Sequence, residues 1–305
     1  MTMTARKRRE ALDAFSMLAP TLLGLLVFFA FPLGYSLVLS VTDTRLFGDA
    51  NFVGLDNYVK ALGDPTFQRA LGNTLLFSAA TLVASIVPAL FLAVLLNEKL
   101  PAQAFFRGMY FVPVVASVVG VSLLWRYLLN FDFGFINYGI RELGKLFGAK
   151  WDGVPWLTDA NIALISVIMV FSWKTVGYNM VILLSGLQSI SKPLYEAASI
   201  DGASRWQAFR SITMPMLSPT TFFVLVTTLI NCLQVFDIPY ALGWTRSNTA
   251  GPANSMLTNS LHLYREGFIN SQMGYASALA WVLFAIIMVI TFIQFRMSNR
   301  WVNYE

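Results

Sequence analysis

Six long apolar segments are the feature of this 305-residue chain that most constrains its fold. A helix needs about 20 apolar residues to cross the hydrocarbon core of a bilayer. In lipid, a helix is the simplest way to satisfy every backbone amide within one segment. The pattern therefore predicts an all-α, polytopic membrane protein with one transmembrane domain over residues 1–305. The predicted spans are residues 16–40, 73–96, 109–130, 161–187, 214–237 and 274–296.

Composition agrees with this membrane class and excludes several kinds of function. Hydrophobic residues make up 56% of the chain, charged residues 12%, and the mean hydropathy is +0.62. The single Cys232, predicted to be buried and unreactive, excludes an intrachain disulfide. The single His262 is predicted to be a surface residue of a polar loop. We expect no catalytic residues and no metal site, and the net charge of +5 comes without a basic–aromatic stripe for nucleic acid.

Basic residues predict the orientation of the chain. Residues 6–9 are all Lys or Arg and precede the first span, and the short loops 97–108 and 188–213 are denser in basic residues than the alternate loops. Because Lys and Arg are retained in the cytosol, both termini are predicted to be cytosolic. The first span is too long for a cleaved signal peptide and contains Pro32.

One motif imitates a nucleotide-binding loop. Residues 139–145 fit the first seven positions of a phosphate-binding P-loop, but Leu146 stands where a Ser or Thr would ligate Mg²⁺. The stretch is also predicted to lie in an outer loop. We interpret the match as a coincidence, so the chain carries no recognisable ATPase of its own.

The cytosolic loop 188–213 has an unusual amount of predicted helix. Ser191 is typical of a helix N-cap, Gly202 permits a sharp change of direction, and Ser204 can cap a second helix. Pro215 marks the start of the fifth span. Periodicity alone leaves two interpretations open: an amphipathic loop resting on the membrane, or a docking element for a partner protein.

The same loop carries a family resemblance. The sequence EAASIDGA at residues 196–203, followed by Pro215 and Pro219, resembles the signature loop of binding-protein-dependent ABC importer permeases. The resemblance covers nearly the whole chain and favours the carbohydrate-uptake branch, of the maltose and glycerol-3-phosphate type. Further matching motifs lie at residues 18–20, 52–58, 155–158, 186–188 and 251–255.

The resemblance implies a type I ABC importer permease fold with six transmembrane helices. It also implies a cytosolic coupling helix between the fourth and fifth spans, which docks into a groove on an ATPase. Carried over by position, the docking residues are Glu196, Ala197, Ala198, Asp201, Gly202 and Ala203.

The resemblance further implies a set of partners in a bacterial or archaeal plasma membrane. They are a second, similar permease, two ATP-binding subunits and an extracytoplasmic solute-binding protein, together with the surrounding lipid. ATP and Mg²⁺ would be bound by the ATPase, so this chain would need no cofactor and would not itself be an enzyme.

Polar side chains inside spans are costly and are therefore candidates for solute contacts. Trp173 and Lys174 fall near the middle of the fourth span, with Tyr178 one turn after Lys174. In the fifth span, polar residues recur every three positions. Such residues offer hydrogen bonds for sugar hydroxyls and aromatic rings for sugar C–H faces. With the position that the resemblance adds, Cys232, the predicted substrate-binding residues are Trp173, Lys174, Tyr178, Thr228, Asn231, Cys232, Gln234 and Asp237.

Alternatives to a sugar permease remain open at this stage. The polar residues could instead hold helices together or face the second subunit. Lys174 could contact an anionic solute of the glycerol-3-phosphate type. An ion-coupled secondary transporter would need carboxylates near a span centre, and a membrane enzyme would need clustered His, Asp or Glu; the sequence has neither.

Overall fold

The computed structural model describes residues 5–45, 50–98, 102–243 and 249–303. Its described parts form two compact units, one from residues 1–63 and 263–282, the other from residues 64–262 and 283–305. The regular elements in these ranges are helical, which confirms the predicted all-α class. Five helices are long and apolar enough to cross a membrane, and a sixth span results if one sharply bent helix pair is counted as one.

The first unit begins with an apolar helical segment. Helix α1 (Ala5–Leu25), a π-helical turn (Leu26–Ala30) and helix α2 (Phe31–Ser40) follow one another without a loop, and Leu12–Ser40 is long enough to span a bilayer. Its large apolar side chains are exposed, which suits contact with lipid or another subunit. The side chains of the basic cluster at residues 6–9 lie outside the described residues.

A short helix explains one of the sequence motifs. In helix α3 (Asp56–Gly63), the Asn57 amide donates to the carbonyl oxygens of Ser40 at 3.0 Å and Thr42 at 2.8 Å. The Tyr58 hydroxyl donates to the Ser40 hydroxyl at 2.7 Å. The motif at residues 52–58 thus satisfies backbone groups at the end of α2, which would otherwise lack partners.

The second unit is built on two long helices packed along their lengths, α4 (Pro65–Asn97) and α8 (Ala163–Ser189). The buried face of α4 carries small residues, which allow close approach of the helix backbones. Helix α11 (Met214–Leu233) packs on both. A Cβ at Gly186 of α8 would lie 2.6 Å from the Thr220 hydroxyl of α11, so these helices meet at a glycine. The small or hydroxylic buried residues of α4 are Ala70, Thr74, Ser78, Thr81, Ser85, Ala89 and Ala93.

The third span, predicted as continuous over residues 109–130, is broken. Helix α5 (Gln103–Val115) and helix α6 (Val118–Leu128) meet at 97°, because Ala116 and Ser117 have extended backbones. Pro113 lies in the last turn of α5. The carbonyl groups freed by the break gain a partner from α8, so a tertiary contact stabilises the bend and the local pattern of apolar residues does not reveal it.

The connections and the last span complete the described elements. The segments that connect the spans include helix α7 (Phe135–Leu146), α12 (Asp237–Gly243) and α13 (Asn259–Tyr264). A 3-10 turn (Pro252–Asn254) and a π-helical turn (Arg265–Ile269) flank α13 along the chain. Helix α14 (Met273–Ser298) is the last span.

The structure of these connections tests two interpretations made from the sequence. The P-loop-like stretch lies in α7, a regular helix in which Lys145 forms an ion pair with Glu142 at 2.7 Å, so it cannot present the amide nest that cradles a phosphate. The prediction of a surface His262 is wrong. This residue lies on α13, is fully buried, and its Nε2 atom is 3.5 Å from a carboxylate oxygen of Asp64.

Candidate functional site: a coupling segment and a membrane cavity

The segment between α8 and α11 forms two short helices, as the sequence predicts. Helix α9 (Lys192–Ile200) is followed by α10 (Arg205–Ala208) and a π-helical turn (Phe209–Thr213). The Ser204 hydroxyl accepts a hydrogen bond from the backbone N–H of Gln207. In return, the side-chain oxygen of Gln207 accepts from the backbone N–H of Ser204 at 2.7 Å. This reciprocal capping box specifies where the second helix begins. We call residues 191–213 the coupling segment, after the role that the resemblance implies for it.

Gly202 ends the first helix of the coupling segment in a left-handed conformation. Its φ is +76°, and the Ala203 amide reaches back to the Ala198 carbonyl at 2.9 Å while the Gly202 amide reaches Ser199 at 3.2 Å. This hydrogen-bond pair is a Schellman motif, in which glycine avoids the steric penalty of the left-handed region. The turn is therefore determined by local chemistry.

The coupling segment is anchored on one side and exposed on the other. The Tyr195 and Thr213 hydroxyls are hydrogen-bonded at 2.9 Å, which ties α9 to the start of the fifth span. Of the predicted docking residues, Ala198 and Ala203 are half-buried, and the others are exposed: Glu196, Ala197, Asp201 and Gly202.

Two exposed apolar residues of the coupling segment were not among the predicted docking residues. Ile200 is 87% exposed and Trp206 is 68% exposed. Ile200 lies three positions after Ala197, so the helical periodicity of the docking face could have identified it. A segment this exposed and this apolar is suited to burial against another protein.

A cavity of about 380 Å³ lies where α8, the end of α11, the start of α12 and the bent third span meet. Five of the eight predicted substrate residues line it. Among the described residues, the side chains of Tyr178, Asn231 and Gln234 make no hydrogen bonds, so their donors and acceptors are free for a solute. The predicted residues that line the cavity are Lys174, Tyr178, Asn231, Gln234 and Asp237.

The other three predicted substrate residues lie elsewhere. Thr228 is buried and its hydroxyl donates to the Asn179 side chain at 3.3 Å, and Cys232 is fully buried. Trp173 packs edge-on against Trp125 of α6, with ring centroids 5.5 Å apart. A step of three residues falls short of a full helical turn by about 60°, so Thr228 and Gln234 diverge by about 120° around the axis.

The structure also adds lining residues that no local signal indicated. Val114 and Val118 reach the cavity from the two sides of the break in the third span, and Phe236 follows the end of α11. Their positions depend on the bend between α5 and α6. Sequence periodicity, which treated residues 109–130 as one helix, could not have found them.

A larger groove of about 800 Å³ lies beside the coupling segment. Its lining is more apolar than that of the smaller cavity, with Phe91, Trp206 and Phe209 among its walls, and two of its polar side chains, Tyr195 and Thr213, are hydrogen-bonded to each other. The smaller cavity, with its converging polar side chains, is therefore the better candidate for a solute site. Within the described ranges, no cluster of His, Cys, Asp and Glu side chains could hold a metal ion.

Comparisons with known proteins identify the family of this chain. Residues 76–304 match the family described as "Binding-protein-dependent transport system inner membrane component". The lactose transport system permease protein LacF of Rhizobium radiobacter is 36% identical, over 95% of this chain and 95% of the relative. The multiple sugar-binding transport system permease protein MsmF of Streptococcus mutans is 35% identical over 98% and 99%. The sn-glycerol-3-phosphate transport system permease protein UgpA of Agrobacterium fabrum is 33% identical over 94% and 95%.

The fold is likewise similar to a solved transporter. A chain of a bacterial ABC transporter that imports the acidic polysaccharide alginate is 26% identical, with a TM-score of 0.82 over 97% of this chain and 98% of that chain. The alginate transporter has also been solved in complex with a periplasmic protein that holds an alginate pentasaccharide; there the identity is 25%, the TM-score 0.82 and the coverage 97% and 96%. The family match and the full-length relatives show that this chain is an ABC importer permease, a multi-pass inner-membrane protein of the binding-protein-dependent transport family.

Proposed function

We propose that this chain forms half of the translocation pathway of an importer for a sugar or sugar-like solute. The observation that carries the proposal is the cavity at the fourth and fifth spans, where Tyr178, Asn231 and Gln234 present free hydrogen-bonding groups. Unpaired polar groups inside a membrane protein are costly, which makes a functional role the best explanation for their convergence. The lactose and multiple-sugar permeases among the relatives support a saccharide as the solute.

The chemistry of the cavity suits a polyhydroxylated solute. Asn231 and Gln234 can each donate and accept hydrogen bonds, and Tyr178 adds a hydroxyl and an aromatic ring on which sugar C–H groups can lie. The glycerol-3-phosphate alternative assigned the phosphate to Lys174. That alternative is weaker, because the Lys174 ammonium already donates to three backbone carbonyls.

The energy for transport comes from partner subunits in this proposal. Two ATP-binding subunits bind ATP and Mg²⁺ and hydrolyse the nucleotide, while this chain contributes no catalytic group. The exposed coupling segment docks on one ATPase, and a second permease with its own segment docks on the other. Closure of the ATPases on ATP draws the two segments together and changes the side to which the pathway opens.

Orientation and assembly follow from the same proposal. The coupling segment must face the ATP compartment, so both termini lie in the cytosol and the opposite side receives solute from an extracytoplasmic binding protein. Both compact units belong to one permease domain in this scheme, and lipid or the second permease covers the exposed apolar helices.

Removal of the free polar groups of the cavity is expected to impair uptake without loss of assembly. Each of Tyr178→Ala and Asn231→Ala removes at least one hydrogen bond of about 1 kcal/mol to the solute, and their combination should lower uptake about tenfold or more. The measurement is uptake into proteoliposomes by the complete complex, using the solute that mass spectrometry identifies on the purified binding protein.

Thr227→Ala provides the control for this experiment. Its hydroxyl lies on the same helix but donates to the Phe223 carbonyl at 2.8 Å, and it does not line the cavity. Wild-type uptake by Tyr178→Ala, Asn231→Ala and the double variant would contradict the proposal that this cavity binds the solute.

Ile200→Ser is expected to weaken the association with the ATPase. Burial of an isoleucine side chain contributes about 1.5–3 kcal/mol, which corresponds to a loss of about tenfold to a hundredfold in affinity. Binding of the purified ATPase to the permease in nanodiscs measures the change. Leu146→Ser, at a position 77% exposed at the end of α7, should leave the affinity unchanged; equal effects of the two variants would refute a specific role of Ile200.

A further inference from the structure

Lys174 makes an unusual set of contacts inside the membrane domain. Its ammonium group donates to the carbonyl oxygens of Pro113 at 2.8 Å, Val114 at 3.0 Å and Ala116 at 3.0 Å. These residues form the last turn of α5 and its C-cap. Lys174 therefore reaches from the fourth span to the point where the third span breaks.

The contacts provide hydrogen-bond partners for both the ammonium group of Lys174 and the carbonyl groups at the end of α5. The last four carbonyl groups of a helix lack partners within the helix and carry the negative end of its dipole. An ammonium group has three N–H donors and no acceptor, and Lys174 directs them to three such carbonyls. A lysine in a span and a helix that ends within a span are both costly alone, and each removes the cost of the other.

Two neighbours of Lys174 on α8 hold the same bend. A Cβ atom at Gly177 would lie 2.8 Å from the Tyr110 carbonyl carbon, so α5 crosses α8 at a site where only glycine fits. Trp173 packs on Trp125 of α6 with ring planes at 70°. One stretch of α8 thus contacts both halves of the broken span.

We propose that Lys174 is a positioning residue that caps α5 and maintains the 97° bend between α5 and α6. The bend places Val114 and Val118 in the wall of the cavity. Lys174 acts on the solute through this wall and not as a direct ligand. The importance of the wall for transport rests on the proposed function, whereas the capping role does not.

The capping role also specifies the charge of the solute. Each N–H group of Lys174 is used by a carbonyl, so an anionic solute would have to displace backbone partners to reach the ammonium group. The other charged residue of the cavity lining is Asp237, whose carboxylate repels anions. The arrangement suits an uncharged saccharide over a phosphate- or uronate-bearing one.

The bend can be measured without any solute. Phe105 on α5 and Tyr127 on α6 are 68% and 66% exposed and can carry spin labels on cysteines in a Cys232→Ala background, within the assembled complex. From the helical rise, their backbones are about 22 Å apart across the observed bend and about 33 Å apart in a straight helix. We expect Lys174→Met, which keeps the length of the side chain, to shift the distance distribution to longer values or to add a longer population.

Three further variants make the result decisive. Lys150→Met makes the same chemical change at an exposed position in an outer connection and should leave the distance unchanged. Gly177→Ala should displace α5 and serves as the positive control. Lys174→Gln retains two N–H donors on a shorter side chain and should shift the distance less than Lys174→Met.

The outcomes separate this proposal from the proposed function. A folded Lys174→Met complex with the wild-type distance overturns the capping role, whatever its uptake. If Lys174→Met and Lys174→Gln both fail to fold while Lys150→Met folds, the capping role is supported, because a lysine that served only as a solute ligand would be dispensable for folding. The proposed function fails on the uptake of the Tyr178 and Asn231 variants, which does not depend on this distance.

Discussion

Gly202→Trp is expected to abolish assembly of the permease with its ATPase while leaving the chain folded in the membrane. The φ of +76° at this position costs a residue with a side chain about 1–2 kcal/mol, and an indole would add bulk among the residues that are proposed to dock on the ATPase. No heavy atom lies within 4 Å of a Cβ built at Gly202, so the added bulk meets the partner and not the protein's own core. Copurification of the ATPase with a tagged permease measures the effect, and uptake should fall to background.

Gly148→Trp is a closely matched control for this substitution. Gly148 also has a positive φ, +71°, and open space around its Cβ, but it follows α7 in a connection that is predicted to lie on the side opposite the ATPase. Normal ATPase copurification with Gly202→Trp, or an equal loss with Gly148→Trp, would contradict the docking role of the coupling segment. Glu196→Lys, which reverses a charge on the same exposed face, should reproduce the loss of assembly. Uptake that persists without the ATPase would refute the importer mechanism itself.

Gly177→Leu is expected to destabilise the membrane domain and to eliminate uptake. The Tyr110 carbonyl and the Phe111 Cα, 3.4 Å from a Cβ built at Gly177, belong to the backbone of α5, which cannot rotate away as a side chain would. Overpacking of this kind costs about 1–3 kcal/mol, and here the strain also moves the cap of α5 away from Lys174. Thermal unfolding of the purified complex should therefore begin several degrees lower, by an amount of about 2–4 °C for each kcal/mol in a domain of this size.

Gly72→Leu tests whether the loss at Gly177 comes from the helix crossing. Gly72 lies inside α4 and a Cβ there has no neighbour within 4 Å, so the same substitution should be tolerated. Equal destabilisation by the two variants would show that a leucine at either glycine is harmful. It would contradict the explanation that the close crossing of α5 and α8 causes the loss at Gly177.

The elements predicted from the sequence were those with local causes. The spans followed from apolar length, and the two helices of the coupling segment followed from Ser204 and Gly202, whose capping and left-handed turn involve only neighbouring residues. The break of the third span was missed because its main partner, Lys174, is 58 to 61 residues away along the chain. His262 was misassigned because its burial depends on Asp64 and on other residues distant in sequence.

The candidate site was also predicted only in part, for the same reason. Sequence reasoning selected the fourth and fifth spans, and Tyr178, Asn231 and Gln234 do meet in one cavity. It also grouped Thr228 with them, although the rotation of α11 turns that hydroxyl toward Asn179. Whether these residues bind solute stays a prediction, for which the uptake experiment is the test.

The sequence by itself determined that this chain crosses a membrane and has two short helices between its fourth and fifth spans, because hydrophobic length and helix caps act within one stretch of chain. The tertiary structure alone decided which polar side chains share a cavity. That choice depends on how each helix is rotated and on where one helix meets another, as Gly177 meets α5. It also decided the role of Lys174, because an ammonium group inside a membrane takes its function from the acceptors that it can reach.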